Sequence, residues 1–141
     1  MVPVVSFVGN SNTGKTTLIE KVVPELKRLG YRVAVVKHAH HGFEMDQPGK
    51  DSWRFTQAGS DLVVIASPQK IVLIEQTDKE LYLDKLIPRI SDKVDVILTE
   101  GYKGYEHPNS VKVEATGSEN IADIVDLIST RVKQSHPGRS N

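Results

Sequence analysis

The feature that most constrains this chain is an eight-residue stretch close to its start. Residues 9–16 read G-N-S-N-T-G-K-T and match G-x-x-x-x-G-K-[S/T] at every fixed position. Glycines let such a loop turn tightly and direct its backbone N–H groups at phosphate oxygens, and the positive end of the following helix faces the same anion. Lys15 can reach the β- and γ-phosphates, and the Thr16 hydroxyl can bind Mg²⁺. The predicted nucleotide-binding residues are Gly9, Asn10, Ser11, Asn12, Thr13, Gly14, Lys15, Thr16 and Thr17. The alternative is a glycine-rich turn that binds no ligand.

The segments around this loop predict an α/β fold. A β-rich run precedes the loop, and apolar residues recur at helical spacing after Lys15. Short apolar runs then alternate with helical patterns, which is typical of a mainly parallel sheet. The predicted strands are 2–8, 31–36, 62–66, 71–74, 94–99 and 111–115, and the predicted helices start at Lys15 or cover 51–58, 81–90 and 119–132. Pro24 predicts a kink or a break in the first helix, and Gly30 predicts its C-cap.

The loop and these elements together predict a three-layer P-loop NTPase-like fold. The runs at 62–66 and 71–74 are separated by S-P-Q-K, so we expect them to add an antiparallel hairpin to the mainly parallel sheet. The 141 residues suit one domain, which we place at 1–133, followed by a flexible tail over 134–141.

Composition excludes several classes of function. The chain has no cysteine, which excludes disulfides, thiolate zinc sites and cysteine nucleophiles. Eighteen basic residues balance eighteen acidic ones, which argues against binding to nucleic acid or to an anionic membrane. No apolar run approaches the roughly 20 residues of a membrane span, and the start of the chain lacks a basic segment and a cleavage site. We therefore expect a cytoplasmic protein.

An acidic residue is expected near the metal or the attacking water of such a site. Ligands of open α/β sheets lie at the carboxyl ends of the strands. Glu100 lies at that end of the 94–99 strand, whereas Asp95 lies at its start. We therefore assign Glu100 to catalysis and to the Mg²⁺ site, and we expect Asp95 to be solvated or paired with a lysine. The alternative for Glu100 is an ordinary surface glutamate.

A polar loop after the second strand supplies further candidates. Its histidines could contact phosphates or another anion, bind a metal, or belong to a solvated loop; their spacing matches no known zinc pattern. Just downstream, Asp51 could be a second Mg²⁺ ligand or the N-cap of a short helix. The candidate loop residues are His38, His40, His41, Lys50, Ser52 and Arg54.

Several of these motifs occur together in one known family. Over nearly its whole length the chain resembles the MobB family, the accessory proteins of molybdopterin-guanine dinucleotide biosynthesis. The resemblance is carried, in this order, by the loop at 9–17, K-H-A-H-H at 37–41, G-K-D-S with the arginine at 49–54, A-G at 58–59 and L-T-E-G-Y-K at 98–103. Ser60 stands where the family usually has alanine.

The resemblance implies a GTP- and Mg²⁺-binding fold, often a homodimer, with weak GTPase activity at most. It implies an adapter role beside a MobA-like partner, the molybdopterin guanylyltransferase, which performs the nucleotidyl transfer. The usual N-K-x-D box for guanine is absent. Lys112 and Glu114 could replace it, with the lysine stacking on the base and the carboxylate accepting from its N1–H and amine; an ordinary strand of alternating charge is the alternative.

Two other functions remain open from the sequence. A small-molecule kinase or other NTPase enzyme needs an arginine-bearing lid over the γ-phosphate, and only Arg54 has a suitable position. A switch GTPase needs a γ-phosphate-sensing loop and the base box, and neither is evident.

Overall fold

The computed structural model describes residues 1–10, 14–39, 42, 48–102, 106 and 109–137. It divides the chain into two compact units, residues 1–40 with 82–141, and residues 41–81. The larger unit contains strands β1 (Val4–Val8), β2 (Val33–Lys37), β5 (Val96–Glu100) and β6 (Ser110–Glu114), and helices α1 (Lys15–Arg28), α3 (Leu83–Ile90) and α4 (Ile121–Ser135). The smaller unit contains α2 (Asp51–Gln57), β3 (Leu62–Ala66) and β4 (Ile71–Glu75).

The larger unit is built on a four-stranded parallel sheet in the order β2-β5-β1-β6. β1 occupies an inner position, so the loop that leaves it lies between the ends of β5 and β6. The register sets Phe7 opposite Glu100 on one side and Val8 opposite Glu114 on the other. The carboxyl ends of all three strands therefore meet at the edge where ligands of such sheets bind.

Helices cover both faces of this sheet. On one face, Phe7 and Leu98 pack in a core with Leu26 of α1 and Ile128 of α4. On the other, Val4 and Ile97 pack against Leu83 of α3. Successive side chains of β1 and β5 alternate between the two cores, as the period of a strand requires. This arrangement confirms the predicted three layers.

The smaller unit contains the predicted hairpin. β3 and β4 pair in antiparallel register, with Val64 opposite Leu73. The Ser67 N–H donates to the Lys70 carbonyl at 2.9 Å and closes the turn between the strands. Val64, Ile71 and Leu73 are exposed on one face. The hairpin is thus the antiparallel portion that the sequence predicts, and it forms a sheet of its own.

Two local expectations differ from the structure. α1 continues unbroken through Pro24, with buried Val22 and Leu26 on either side anchoring both halves in the core. The N-cap of α2 is Lys50 and no side chain caps that helix, so a capping role for Asp51 is wrong; Asp51 lies in the first turn, where a negative charge complements the helix dipole. The division between a domain and a tail at 133–134 stays a prediction; α4 runs through Ser135.

Asp95 is neither solvated nor paired with a lysine. Its carboxylate is buried and accepts from the Arg32 backbone N–H at 2.7 Å and from the Arg32 guanidinium Nη2 at 3.2 Å. The Asp95 N–H in turn donates to the Arg32 carbonyl at 2.8 Å. These bonds join the residues immediately before β5 and β2 at the amino end of the sheet, away from the Glu100 end. Asp95 therefore has a structural role.

Candidate functional site

The described ends of the phosphate loop are joined by a lysine. Gly14 is the N-cap of α1 with φ +84°, a backbone conformation that favours glycine, and its carbonyl accepts from the Leu18 N–H at 2.9 Å. Lys15 directs its ammonium back to the exit of β1, where Nζ donates to the Gly9 carbonyl at 3.0 Å. The lysine therefore spans the loop from helix to strand. Ser11, Asn12 and Thr13 lie outside the described residues.

Two oxygen-bearing side chains meet at the start of α1. The Thr16 hydroxyl donates to the Glu100 carboxylate, 3.3 Å from Oε1 and 3.4 Å from Oε2. These residues are 84 positions apart in the chain, and the β1–β5 register brings them together. A hydroxyl and a carboxylate are the hard oxygen donors that Mg²⁺ prefers. Thr17 is exposed in the same helical turn.

The exits of β2 and β5 are in contact beside this pair. The His38 N–H donates to the Glu100 carbonyl at 2.9 Å. The rings of His38 and Tyr102 stack, with centroids 5.0 Å apart and planes inclined by 23°. Tyr102 is a neighbour of the site that the sequence analysis does not select, although its place two residues after Glu100 is a usable signal.

Comparison with known proteins identifies the family. Residues 4–129 match the family model described as MobB, molybdopterin guanine dinucleotide synthesis protein B. The chain belongs to the MobB family. Two similar relatives are named molybdopterin-guanine dinucleotide biosynthesis adapter protein. The one from Haemophilus influenzae is 41% identical over 72% of this chain and 58% of its own length. The one from Escherichia coli is 41% identical over 75% of this chain and 62% of its own length.

Solved structures of the MobB family share the fold. A crystal structure titled molybdopterin-guanine biosynthesis protein B aligns with a TM-score of 0.68 and 26% identity, over 92% of this chain and 99% of the other. The P-loop NTPase-like fold class is thereby confirmed. This chain spans about three-fifths of the length of the two sequence relatives, 58% and 62%. Within the ranges that the structure describes, no helix is both long and apolar enough to cross a membrane.

The proposed guanine-reading residues of this MobB family member lie on β6. Glu114 is paired in register with Val8, immediately before the phosphate loop, and the Ala115 N–H donates to the Val8 carbonyl at 2.9 Å. Val113 packs into the core with α1 and α4, so Lys112 and Glu114 project from the opposite face of the strand. Lys112 Nζ is 4.0 Å from the Glu106 carboxylate, and both side chains are exposed. Their role toward a base stays a prediction.

The remaining candidates lie outside the described residues or in the smaller unit. His40 and His41 lie outside the described residues. The candidates Lys50, Ser52 and Arg54 belong to the smaller unit. There the Arg54 N–H donates to the Lys50 carbonyl at 2.9 Å, and the Ser52 carbonyl accepts from the Thr56 hydroxyl at 3.2 Å. Asp51 and Arg54 are exposed there. Among the described residues, no group of three or more histidines, aspartates or glutamates is spaced to hold a metal ion.

Proposed function

We propose that this chain is a GTP·Mg²⁺-binding adapter protein in molybdenum cofactor biosynthesis. The observation that carries the proposal is the contact between Thr16 and Glu100 at the head of α1. This contact brings a hydroxyl and a carboxylate together next to Lys15, and such oxygen donors support binding of the magnesium ion of a nucleoside triphosphate. The names of the two relatives support the pathway.

Each residue of this site has a distinct part in the proposal. Lys15, which now donates to the Gly9 carbonyl, exchanges that partner for a phosphate oxygen when nucleotide binds. Thr16 and Glu100 would hold Mg²⁺, since this ion usually takes only one or two protein carboxylates. Bound Mg²⁺ supplies charge neutralisation for the phosphates. Glu100 is also the residue that orients water in a weak GTPase reaction.

The preference for guanine rests on β6 in this proposal. Glu114 supplies a carboxylate for the N1–H and amine of guanine, and Lys112 stacks its aliphatic stem on the base. The support is positional: Glu114 pairs with Val8 at the entrance to the phosphate loop. Further contacts to nucleotide or partner are assigned to His38, His40, His41, Lys50, Ser52 and Arg54.

The adapter role requires a partner. We propose a MobA-like molybdopterin guanylyltransferase, a cytoplasmic setting and a homodimeric state. The partner and the setting are supported by the relatives' names, which describe adapters in a biosynthetic pathway. The balanced charge, 18 basic and 18 acidic residues, disfavours nucleic acid as the partner. Sedimentation of the purified chain tests the homodimer.

A pull-down tests the function as a whole. The tagged chain is incubated with a MobA-like guanylyltransferase, with and without GTP and MgCl₂. We expect retention of the transferase to depend on the nucleotide. Calorimetric titration with GTP, ATP and CTP accompanies it, and tighter binding of GTP is expected. Equal affinity for ATP would overturn the guanine assignment, and no retention in either condition would overturn the adapter role.

A further inference from the structure

The backbone of β2 and β5 stays joined beyond the end of β2. Lys37, the last residue of β2, is opposite Glu100, the last residue of β5. The next N–H along, that of His38, donates to the Glu100 carbonyl at 2.9 Å. The main chain at Glu100 is therefore anchored on its β2 side by a hydrogen bond as well as by the strand register.

The turn after Glu100 allows an unusually close approach between the segment at Gly101 and the segment at His38. Gly101 has φ +92°, a conformation that side-chain-bearing residues rarely adopt. A Cβ at this position would lie 3.1 Å from the His38 carbonyl oxygen and 3.5 Å from the His38 Cβ. Glycine is thus needed for its conformation and for the space. The chain that leaves Glu100 passes directly against His38.

A ring contact completes this arrangement. Tyr102 follows the turn and stacks on His38, with 5.0 Å between ring centroids and an inclination of 23°. Both residues are partly buried. The main chain of Glu100 is consequently held by β5 on its N-terminal side and by the Tyr102 ring on its C-terminal side. His38 contacts both the Glu100 carbonyl and the Tyr102 ring.

We propose that His38 and Tyr102 are positioning residues for Glu100. The stacked pair fixes the main chain from which the Glu100 carboxylate reaches to 3.3 Å from the Thr16 hydroxyl. A metal ligand must be held within about 0.5 Å of its productive place by contacts of its own. The inference rests on the proposed function, because it concerns the magnesium ligand of that same site, and it assigns a role to one of the histidines that the sequence leaves open.

The test separates binding of the metal from binding of the phosphates. GTP affinity of the full chain is measured by calorimetry in MgCl₂ and in EDTA, for the wild type, Tyr102→Ala and Tyr102→Phe. Tyr82→Ala is the matched control, because Tyr82 is 65% exposed at the start of α3. In the nucleotide-free protein, hydrogen exchange of the His38 amide is followed by NMR, since this N–H donates to Glu100.

Adding MgCl₂ is expected to increase the GTP affinity of the wild type, and we expect this increase to be about tenfold or more smaller in Tyr102→Ala. A loss of this size is usual when a residue that supports a metal ligand is removed. The affinity of Tyr102→Ala in EDTA stays at the wild-type value, and its His38 amide exchanges faster. Tyr102→Phe and Tyr82→Ala match the wild type in all three measurements.

Other results would overturn the proposal. Equal losses in MgCl₂ and EDTA would indicate a general structural role for the ring contact. An unchanged magnesium gain, or an unchanged His38 exchange rate, would show that the stack does not fix Glu100. A wild-type protein with no magnesium gain would overturn the proposed function and this inference together, which distinguishes it from a failure confined to Tyr102→Ala.

Discussion

At the scale of single residues, the candidate site depends on Lys15, Thr16 and Glu100. The fixed spacing of the loop places Lys15 and Thr16, and the rule that ligands lie at strand carboxyl ends selects Glu100 over Asp95. The sequence does not reveal contacts between residues that are far apart in the chain. The Arg32–Asp95 ion pair joins positions 63 apart. It depends on the burial of Asp95, which the position of an aspartate at the start of a strand does not predict. The His38–Tyr102 stack depends on the β2–β5 register in the same way.

Glu100→Gln tests the metal role of that carboxylate. The amide keeps the size and one acceptor oxygen, but it lacks the charge that Mg²⁺ prefers. We expect the affinity gained on adding MgCl₂ to fall about 10- to 100-fold, with little change in GTP affinity in EDTA. Calorimetry under both conditions measures this. The reverse pattern, a loss in EDTA and an intact magnesium gain, would indicate a structural glutamate.

At the scale of elements, periodicity and turn residues predict most of the architecture. β3 occupies 62–66 as expected, and the four-residue turn identifies the β3–β4 hairpin. Helix and strand ends differ from the predicted ones by one to three residues. Capping decides the helix ends: α4 starts at Ile121 after Asn120, whose side chain accepts from the Asp123 N–H at 3.2 Å. The pairing of neighbouring strands decides the strand ends. The unbroken α1 shows that burial of both halves outweighs the lost hydrogen bond at Pro24.

A buried pair of hydroxyls between β1 and β5 predicts a non-additive effect on stability. Thr99 Oγ1 donates to Ser6 Oγ at 3.1 Å, and both side chains are buried. Thr99→Val leaves the Ser6 hydroxyl without this partner, at a cost of about 1–3 kcal/mol in the free energy of unfolding. Ser6→Ala with Thr99→Val removes both polar groups, so the double variant is expected to be less destabilised than the sum of the single ones. Urea unfolding measures all three, and strictly additive losses would contradict the coupling.

The turn between β6 and α4 predicts an acid-sensitive contribution to stability. The backbone N–H groups of Thr116 and Gly117 donate to the Glu119 carboxylate and lower its pKa from the ordinary 4.5. The hydrogen bond from Thr116 is the largest cause of this shift in pKa. Because the pKa is lower in the folded protein, the stabilisation is present above the unfolded value and is lost as the pH falls through the folded one. Glu119→Gln should therefore flatten the acid side of the stability profile, measured as urea midpoints from neutral pH downward. Parallel profiles for variant and wild type would refute this.

At the scale of the whole molecule, the proposed adapter and a small-molecule kinase differ in the turnover rate that they predict. A kinase closes arginine side chains over the γ-phosphate and turns over at about 1–100 s⁻¹. The proposed adapter instead needs GTP to stay bound while a partner acts. We expect GTP hydrolysis by the isolated chain to be well below one turnover per second, measured as phosphate release with MgCl₂. Rates in the kinase range would favour the enzyme alternative.

The most direct test of the account is the affinity of the purified chain for GTP with MgCl₂, compared between the wild type and Lys15→Ala. Charge-assisted hydrogen bonds contribute about 1.5–3 kcal/mol, so the variant should bind roughly 10- to 150-fold more weakly. Lys21→Ala, a lysine exposed on the same helix, should bind like the wild type. Circular dichroism confirms that each variant is folded. A folded Lys15→Ala protein with the wild-type dissociation constant would contradict the central claim that this loop binds a triphosphate.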